Sequence, residues 1–271
     1  MTALATRFGR LTRPPDADLL ARYVAGRDGA AFAELVRRHG PAVLAACRRI
    51  TAHAHDADDA FQATFLVLAR KAQQVRSGEP VGAWLYGVAV RAARKAAARA
   101  GRHRETLVAA VPDVPERTAE PFDPDAARAV AEEVGRLSPK YRAAVVLCEL
   151  EGRPRAAVAR ELGIAPGTLS SRLAAARKEL ADRLAARGFG PAALAALTPA
   201  VVPPRLSAAT AALVAGGAVP AGVTTLTHGV GRVMIVQKLR LAAPAFGVAA
   251  AVVLAVGLIA APPAPPPPPP P

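Results

Sequence analysis

Apolar residues fall at helical spacing along much of this chain. The clearest stretch runs from Val158 to Leu184, where a short helical segment, a Gly-containing corner and a second amphipathic stretch follow at the spacing of a helix-turn-helix. In the second stretch Leu169, Leu173, Ala176, Leu180 and Leu184 recur at steps of four, three, four and four, which stacks them in one stripe. The opposite face carries Thr168, Ser171, Arg172, Arg177 and Lys178. Such a helix can enter a DNA major groove with its N-terminal residues at base edges and its cations on phosphates. The same pattern also fits a plain helical hairpin with a solvated basic face.

Upstream, Leu19, Leu20, Tyr23 and Val24 form one apolar stripe and Phe32, Leu35 and Val36 another before Pro41, with Gly26 to Gly29 as the turn between them. Two packed helices are expected over Asp16 to Ile50. A third begins near Asp56, Asp58 and Asp59, whose charge suits a helix N-terminus, and continues through Phe61, Phe65 and Leu68. Its acidic and amide edge, Asp56, Asp59 and Gln62, lies beside the apolar stripe and marks either a partner surface or ordinary helix-starting residues. The polar loop Val75 to Gly82 leads to a helix that starts at Trp84.

Between Val90 and Arg104 that helix holds Arg91, Arg94, Lys95, Arg99, Arg102 and Arg104 and no acidic residue. Arg91, Arg94 and Lys95 fall at i, i+3 and i+4, so they share a face that can follow a phosphate backbone. Trp84 and Tyr86 are either stacking platforms for unpaired bases or core residues. Thr106 to Pro124, with four prolines among acidic residues, reads as an extended linker. A second domain then opens near Asp125, with Glu132 and Glu133 in its first helix. Leu137-Ser138-Pro139 is a helix break with Ser138 as cap, and Tyr141, Val145, Val146 and Leu150 form the next stripe.

The pattern therefore predicts an all-α chain of two small helical domains, and composition narrows its partners. Of 271 residues few are aromatic, which argues against a large enzyme core, and the net charge of +14 with a pI near 11.1 favours a polyanion, either nucleic acid or an anionic membrane surface. Cys47 and Cys148 lie far apart in apolar helical contexts and read as buried free thiols of a reducing compartment. His53, His55 and Asp56 lack the further ligands of a metal site and read as a polar helix start. No catalytic triad or phosphate-cradling loop is present, so no enzyme activity and no cofactor are expected.

Two halves in this order resemble one family, the extracytoplasmic-function class of bacterial RNA polymerase sigma factors. DADDAFQATF looks like that family's polymerase-binding helix, and AWLYGVAVRAARKAAAR like the helix that melts and reads the minus-10 element. LSPKYRAAVVLCELEG followed by VARELGIAPGTLSSRL looks like the minus-35-binding domain. The resemblance implies a region 2-like domain over residues 16–105, a linker over 106–124 and a region 4-like domain over 125–188, after a basic leader at 1–15. It assigns Asp56, Asp59, Gln62 and Phe65 to core polymerase; Trp84, Arg91, Arg94 and Lys95 to the minus-10 element; and Thr168, Ser171, Arg172 and Arg177 to the minus-35 element. It places the loop Val75 to Gly82 where a flipped minus-10 base is held. Promoter DNA and core RNA polymerase are the implied partners, with a possible anti-sigma factor or protease. Val90-Arg91 replaces a common Arg-Asn pair, Ser170 and Ala175 stand at positions often basic, and Ala156-Ala157 replaces a polar or acidic pair. A regulator that binds duplex DNA without joining the polymerase is the rival, and it leaves Asp56 to Phe65 without a task.

Beyond Gly188 the resemblance ends. Pro191 to Thr227 is rich in Ala, Val, Gly and Pro and reads as a weak helical hairpin or a flexible tether, within a tether domain over 189–240. Leu241 to Ala261 is an uncharged run long enough, at about 1.5 Å per residue, to cross a bilayer. Arg232, Lys238 and Arg240 precede it, so the expectation is cytoplasmic domains tethered to the inner membrane and a polyproline tail, Pro262 to Pro271, on the far side.

Overall fold

A computed structural model describes residues 14–75, 80–106, 123–228 and 230. Every regular element among them is helical. Residues 1–13 of the basic leader, 76–79 of the Val75 to Gly82 loop and 107–122 of the acidic linker, with the uncharged run Leu241 to Ala261 and the polyproline tail, lie outside the described residues. Among those described, no helix is long and apolar enough to cross a membrane.

Four helices build the first core: α1 (Asp16–Gly26), α2 (Gly29–Ile50), α3 (Ala54–Lys71) and α4 (Val81–Thr106). Asp28 caps α2 by accepting from the Ala31 N–H at 3.0 Å. Pro41 does not end this helix, as the apolar stripe stopping before it suggests; α2 runs on to Ile50, its second half buried by packing on α3 and α4. Packing here outweighs the one backbone hydrogen bond a helix loses at proline. Tyr23, Phe32, Phe65 and Phe61 form a chain of tilted and edge-on rings at 4.7, 6.4 and 5.0 Å that ties α1, α2 and α3 together. Only Asp56 of the three aspartates falls in the first turn of α3; Asp58 and Asp59 sit in the second.

The second core comprises α5 (Pro124–Arg136), α6 (Pro139–Val145) with a wider π turn over Val146–Leu150, α7 (Arg155–Glu161) and α8 (Pro166–Ala185). Ser138 holds the N-cap position of α6, but its hydroxyl makes no capping bond, in contrast to the cap read from sequence. Pro139 at the first turn leaves one fewer backbone donor to satisfy. Ala144, Leu147, Val158, Ala159, Leu169 and Leu173 close the core between the π turn, α7 and α8. Cys47 is buried, whereas Cys148 sits at the edge of this core and is half-buried, less covered than its apolar context suggests.

Residues 191–228 hold further helical elements packed on the rest of the chain. A short 3-10 turn (Pro191–Ala196), α9 (Pro204–Val214) and a last helical stretch, residues 221–228, follow α8, and α9 packs on α2 and α3.

Candidate nucleic-acid and partner interface

Three faces gather the residues singled out by sequence. The first is α8. Its buried stripe is Leu169, Leu173, Ala176, Leu180 and Leu184, each at most 2% exposed, as the spacing requires. The corner before it holds Gly163 at a φ of +63°, a left-handed conformation that L side chains rarely adopt. With the stripe anchored, Thr168, Ser171, Arg177 and Lys178 point outward, and Arg172 is half-buried. Ser171 donates its hydroxyl to the Gly167 carbonyl at 3.0 Å, which leaves its oxygen lone pairs facing out. Arg177 pairs with Glu149 at 2.7 Å and Lys178 with Asp182 at 2.7 Å. Both pairs are solvent-exposed, so a phosphate can displace the carboxylate at a cost of roughly 1 kcal/mol or less.

The second face is the acidic edge of α3. Asp56 and Gln62 are half-buried and Asp59 is nearly covered. Arg99 of α4 reaches toward Asp56 at 3.9 Å and Asp59 at 3.8 Å. Burial raises the Asp59 carboxyl above its usual range, opposed by His55 and Arg99. Phe65 has no exposed surface; it meets Phe32 edge-on and Phe61 at a tilt, so as folded it supports this edge from behind.

The third face is α4. Arg94 is exposed, Arg91 and Lys95 are half-buried, and Lys95 donates to the Thr225 carbonyl at 2.7 Å. Trp84, at 8% exposed, and Tyr86, with none, are core residues in this arrangement, so neither offers a ring face for base stacking. Burial pushes the Tyr86 hydroxyl well above its ordinary value, and that hydroxyl donates to the Ala131 carbonyl at 3.4 Å. The apolar first turns of α4 are thus buried, while the basic residues lie further along the helix.

Arg142 of α6 was not singled out by sequence. Its Nε donates to the Ala83 carbonyl at 3.1 Å and its Nη1 to the Leu137 carbonyl at 3.2 Å, pinning the start of α4 to the α5–α6 corner. No spacing rule marks an arginine that bonds to backbone carbonyls. His39, Asp16 and Glu151 were likewise missed, although the three meet in a buried cluster. Among the described residues no group of three or more His, Cys, Asp or Glu side chains is arranged to hold a metal ion.

Comparison with known proteins follows the same division. Residues 35–103 match the family description "Sigma-70 region 2", and residues 127–180 match "Sigma-70, region 4". The chain is 38% identical over 180 residues to the ECF RNA polymerase sigma factor SigM of Mycobacterium tuberculosis, covering 66% of this chain and 90% of the relative. It is 33% identical over 157 residues to the ECF RNA polymerase sigma factor SigE of Mycolicibacterium smegmatis, covering 56% and 61%. A solved structure of CnrH in complex with the cytosolic domain of CnrY shares 25% identity with a TM-score of 0.32, over 63% of this chain and 97% of that one.

Proposed function

The chain belongs to the ECF RNA polymerase sigma factors, and from that premise we propose that it joins core RNA polymerase through the α3 edge and directs it to promoters through α4 and α8. The observation that carries this reading is the pairing of both family segments, in order, with an α8 whose buried stripe leaves Thr168, Ser171 and Arg177 exposed and Arg172 half-buried.

In this reading Asp56, Asp59 and Gln62 contact the polymerase, with Phe65 behind them. Arg91, Arg94 and Lys95 follow the phosphates of the melted minus-10 strand, Trp84 holds the root of that helix, and the Val75 to Gly82 loop receives an unstacked base. Single-stranded DNA calls for such a cationic track, whereas the minus-35 duplex calls for a helix in the major groove. The contribution is binding and positioning throughout. Two elements about 25 base pairs apart lie roughly 85 Å apart along B-form DNA at 3.4 Å per pair. The contacts between α5 and the α2–α4 pair must therefore open when both elements are engaged.

A membrane tether through Leu241 to Ala261 is part of the same proposal and rests on the sequence: an uncharged run preceded by Arg232, Lys238 and Arg240. It would hold the sigma domains at the cytoplasmic face until an anti-sigma partner or protease changes their access to DNA. In vitro transcription with core polymerase, with and without the full chain, over a promoter library tests the central claim. Enrichment of promoters sharing a two-part element supports it, and transcription unchanged by the chain rejects it.

A further inference from the structure

Residues 198–228 lie beyond both matched family segments, yet they are fastened to the first helical core. The last stretch buries Val223, Leu226, Thr227 and Val230, each at most 3% exposed, at the three-one-three spacing of one helix face. Leu206 and Thr210 do the same for α9, at 4% and 0%. Polar bonds add direction. The Ala200 N–H donates to the Pro41 carbonyl at 3.1 Å, and Arg49 donates to the Thr198 hydroxyl oxygen at 2.9 Å.

What this segment covers is specific. Gly222 packs so closely on α3 that any side chain there would overlap the Asp59 carboxylate and meet Arg99. Three residues on, the Thr225 carbonyl takes a hydrogen bond from Lys95. Asp59 is left 6% exposed, although it sits near the start of a helix whose edge is otherwise only half-covered. One short segment thus touches both the acidic edge of α3 and the basic face of α4.

We propose that residues 198–228 are an intramolecular cap, and that core polymerase and this cap compete for one surface. The proposal rests on the reading of Asp56, Asp59 and Gln62 as polymerase contacts. A polymerase surface that needs the Asp59 carboxylate must displace the segment, whose attachment in the same chain keeps its effective concentration high, on the order of millimolar. Apparent affinity is then reduced by the fraction of chains in which the cap has lifted. The residues outside the family segments become a regulator of the site inside them.

Full-length chains carrying Gly222→Glu or Leu226→Asp test this, since neither residue belongs to the proposed polymerase or DNA contacts. Each is titrated against core polymerase, and hydrogen exchange is followed over Asp56 to Phe65 and over α1 and α2. The expected result is faster exchange at Asp56 to Phe65, unchanged protection of α1 and α2, and binding at least about tenfold tighter than the parent chain, as for a parent whose cap is open in a tenth of molecules or fewer. Equal or weaker binding with the segment displaced overturns the cap. So does a segment that stays protected in both variants, or loss of protection in α1 and α2, which would make the segment an integral part of the core. Failure of parent and variants alike to bind polymerase would remove the polymerase reading itself, and the cap with it.

Discussion

His39 Nδ1 lies 2.6 Å from Glu151 Oε1, and its other ring nitrogen lies 2.9 Å from Asp16. The imidazole is 1% exposed and the two carboxylates 6% and 7%, so one side chain in the middle of α2 joins the first turn of α1 to the residue that follows the π turn of the second core. Burial alone would strip the imidazole of its proton, but the two carboxylates outweigh it and raise its pKa to about 10. His39 is therefore an imidazolium at neutral pH, and Asp16 is held well below the usual carboxylate range.

Removing one partner of such a cluster leaves charge buried and uncompensated, which is costly where the intact cluster adds little. Glu151→Ala should lower unfolding free energy by about 3 kcal/mol, at the low end for buried pairs because Asp16 still faces His39. Chemical denaturation reads the loss. Because Glu151 and His39 sit on different cores, hydrogen exchange at the Arg142 and Ala83 contacts should rise as well. A change below about 0.5 kcal/mol would show that the cluster is solvated and not a clasp.

The same cluster sets a pH window. His39 has a folded pKa above its ordinary 6.5, so its contribution is complete below that value and is lost as pH rises toward about 10. Asp16 has a folded pKa below its ordinary 3.8, so its contribution is complete above that value and is lost as pH falls through the lowered one. Stability from the cluster is greatest between roughly pH 4 and 6.5 and declines on the alkaline side. Thermal melts from pH 6 to 10 should fall more steeply for the parent chain than for His39→Leu, whose melt lacks this component.

Arg142 offers an independent handle on the contact between the cores. Lysine in its place keeps the charge but cannot supply the two directed donors that reach the Ala83 and Leu137 carbonyls. Arg142→Lys should cost about 1–3 kcal/mol by leaving half-buried carbonyls under-satisfied. It should also speed exchange in the first turns of α4 while leaving α7 and α8 protected. Uniform loss of protection would mean that the two cores unfold as one unit and that Arg142 is no local pin.

How far the sequence carried these conclusions depends on the kind of interaction. The stripe from Leu169 to Leu184 is legible because burying a helix face imposes a period, and all five residues are buried. Phe65 and Trp84 are ambiguous for the same reason: an aromatic at helical spacing meets the demands of a core and of a binding surface equally, and here both are covered. Asp16, His39 and Glu151 carry no local signature, since their meeting depends on tertiary packing across most of the described chain. The sequence of residues 191–228 fits a helical hairpin and a flexible tether equally because small residues give a weak pattern, and their burial depends on close approach, as at Gly222, more than on large side chains.

Separating scaffold from readout on α8 gives the last expectation. Leu173 is 2% exposed within the cluster that joins α7, the π turn and α8, so Leu173→Ala should destabilise this core by about 2–5 kcal/mol and abolish duplex binding by unfolding it. Thr168 and Ser171 are exposed on the outer face, so Thr168→Ala and Ser171→Ala should leave the melting profile within about 0.5 kcal/mol of the parent. Their effect should appear as relaxed preference among minus-35 sequences, because base-edge contacts specify while phosphate contacts position. Arg177→Ala should instead weaken binding to all sequences alike and reduce the slope of log affinity against log salt by about one. Competition binding with minus-35 duplexes and random DNA over a salt series measures both. Preference unchanged in the Thr168 and Ser171 variants would mean that α8 docks without reading bases.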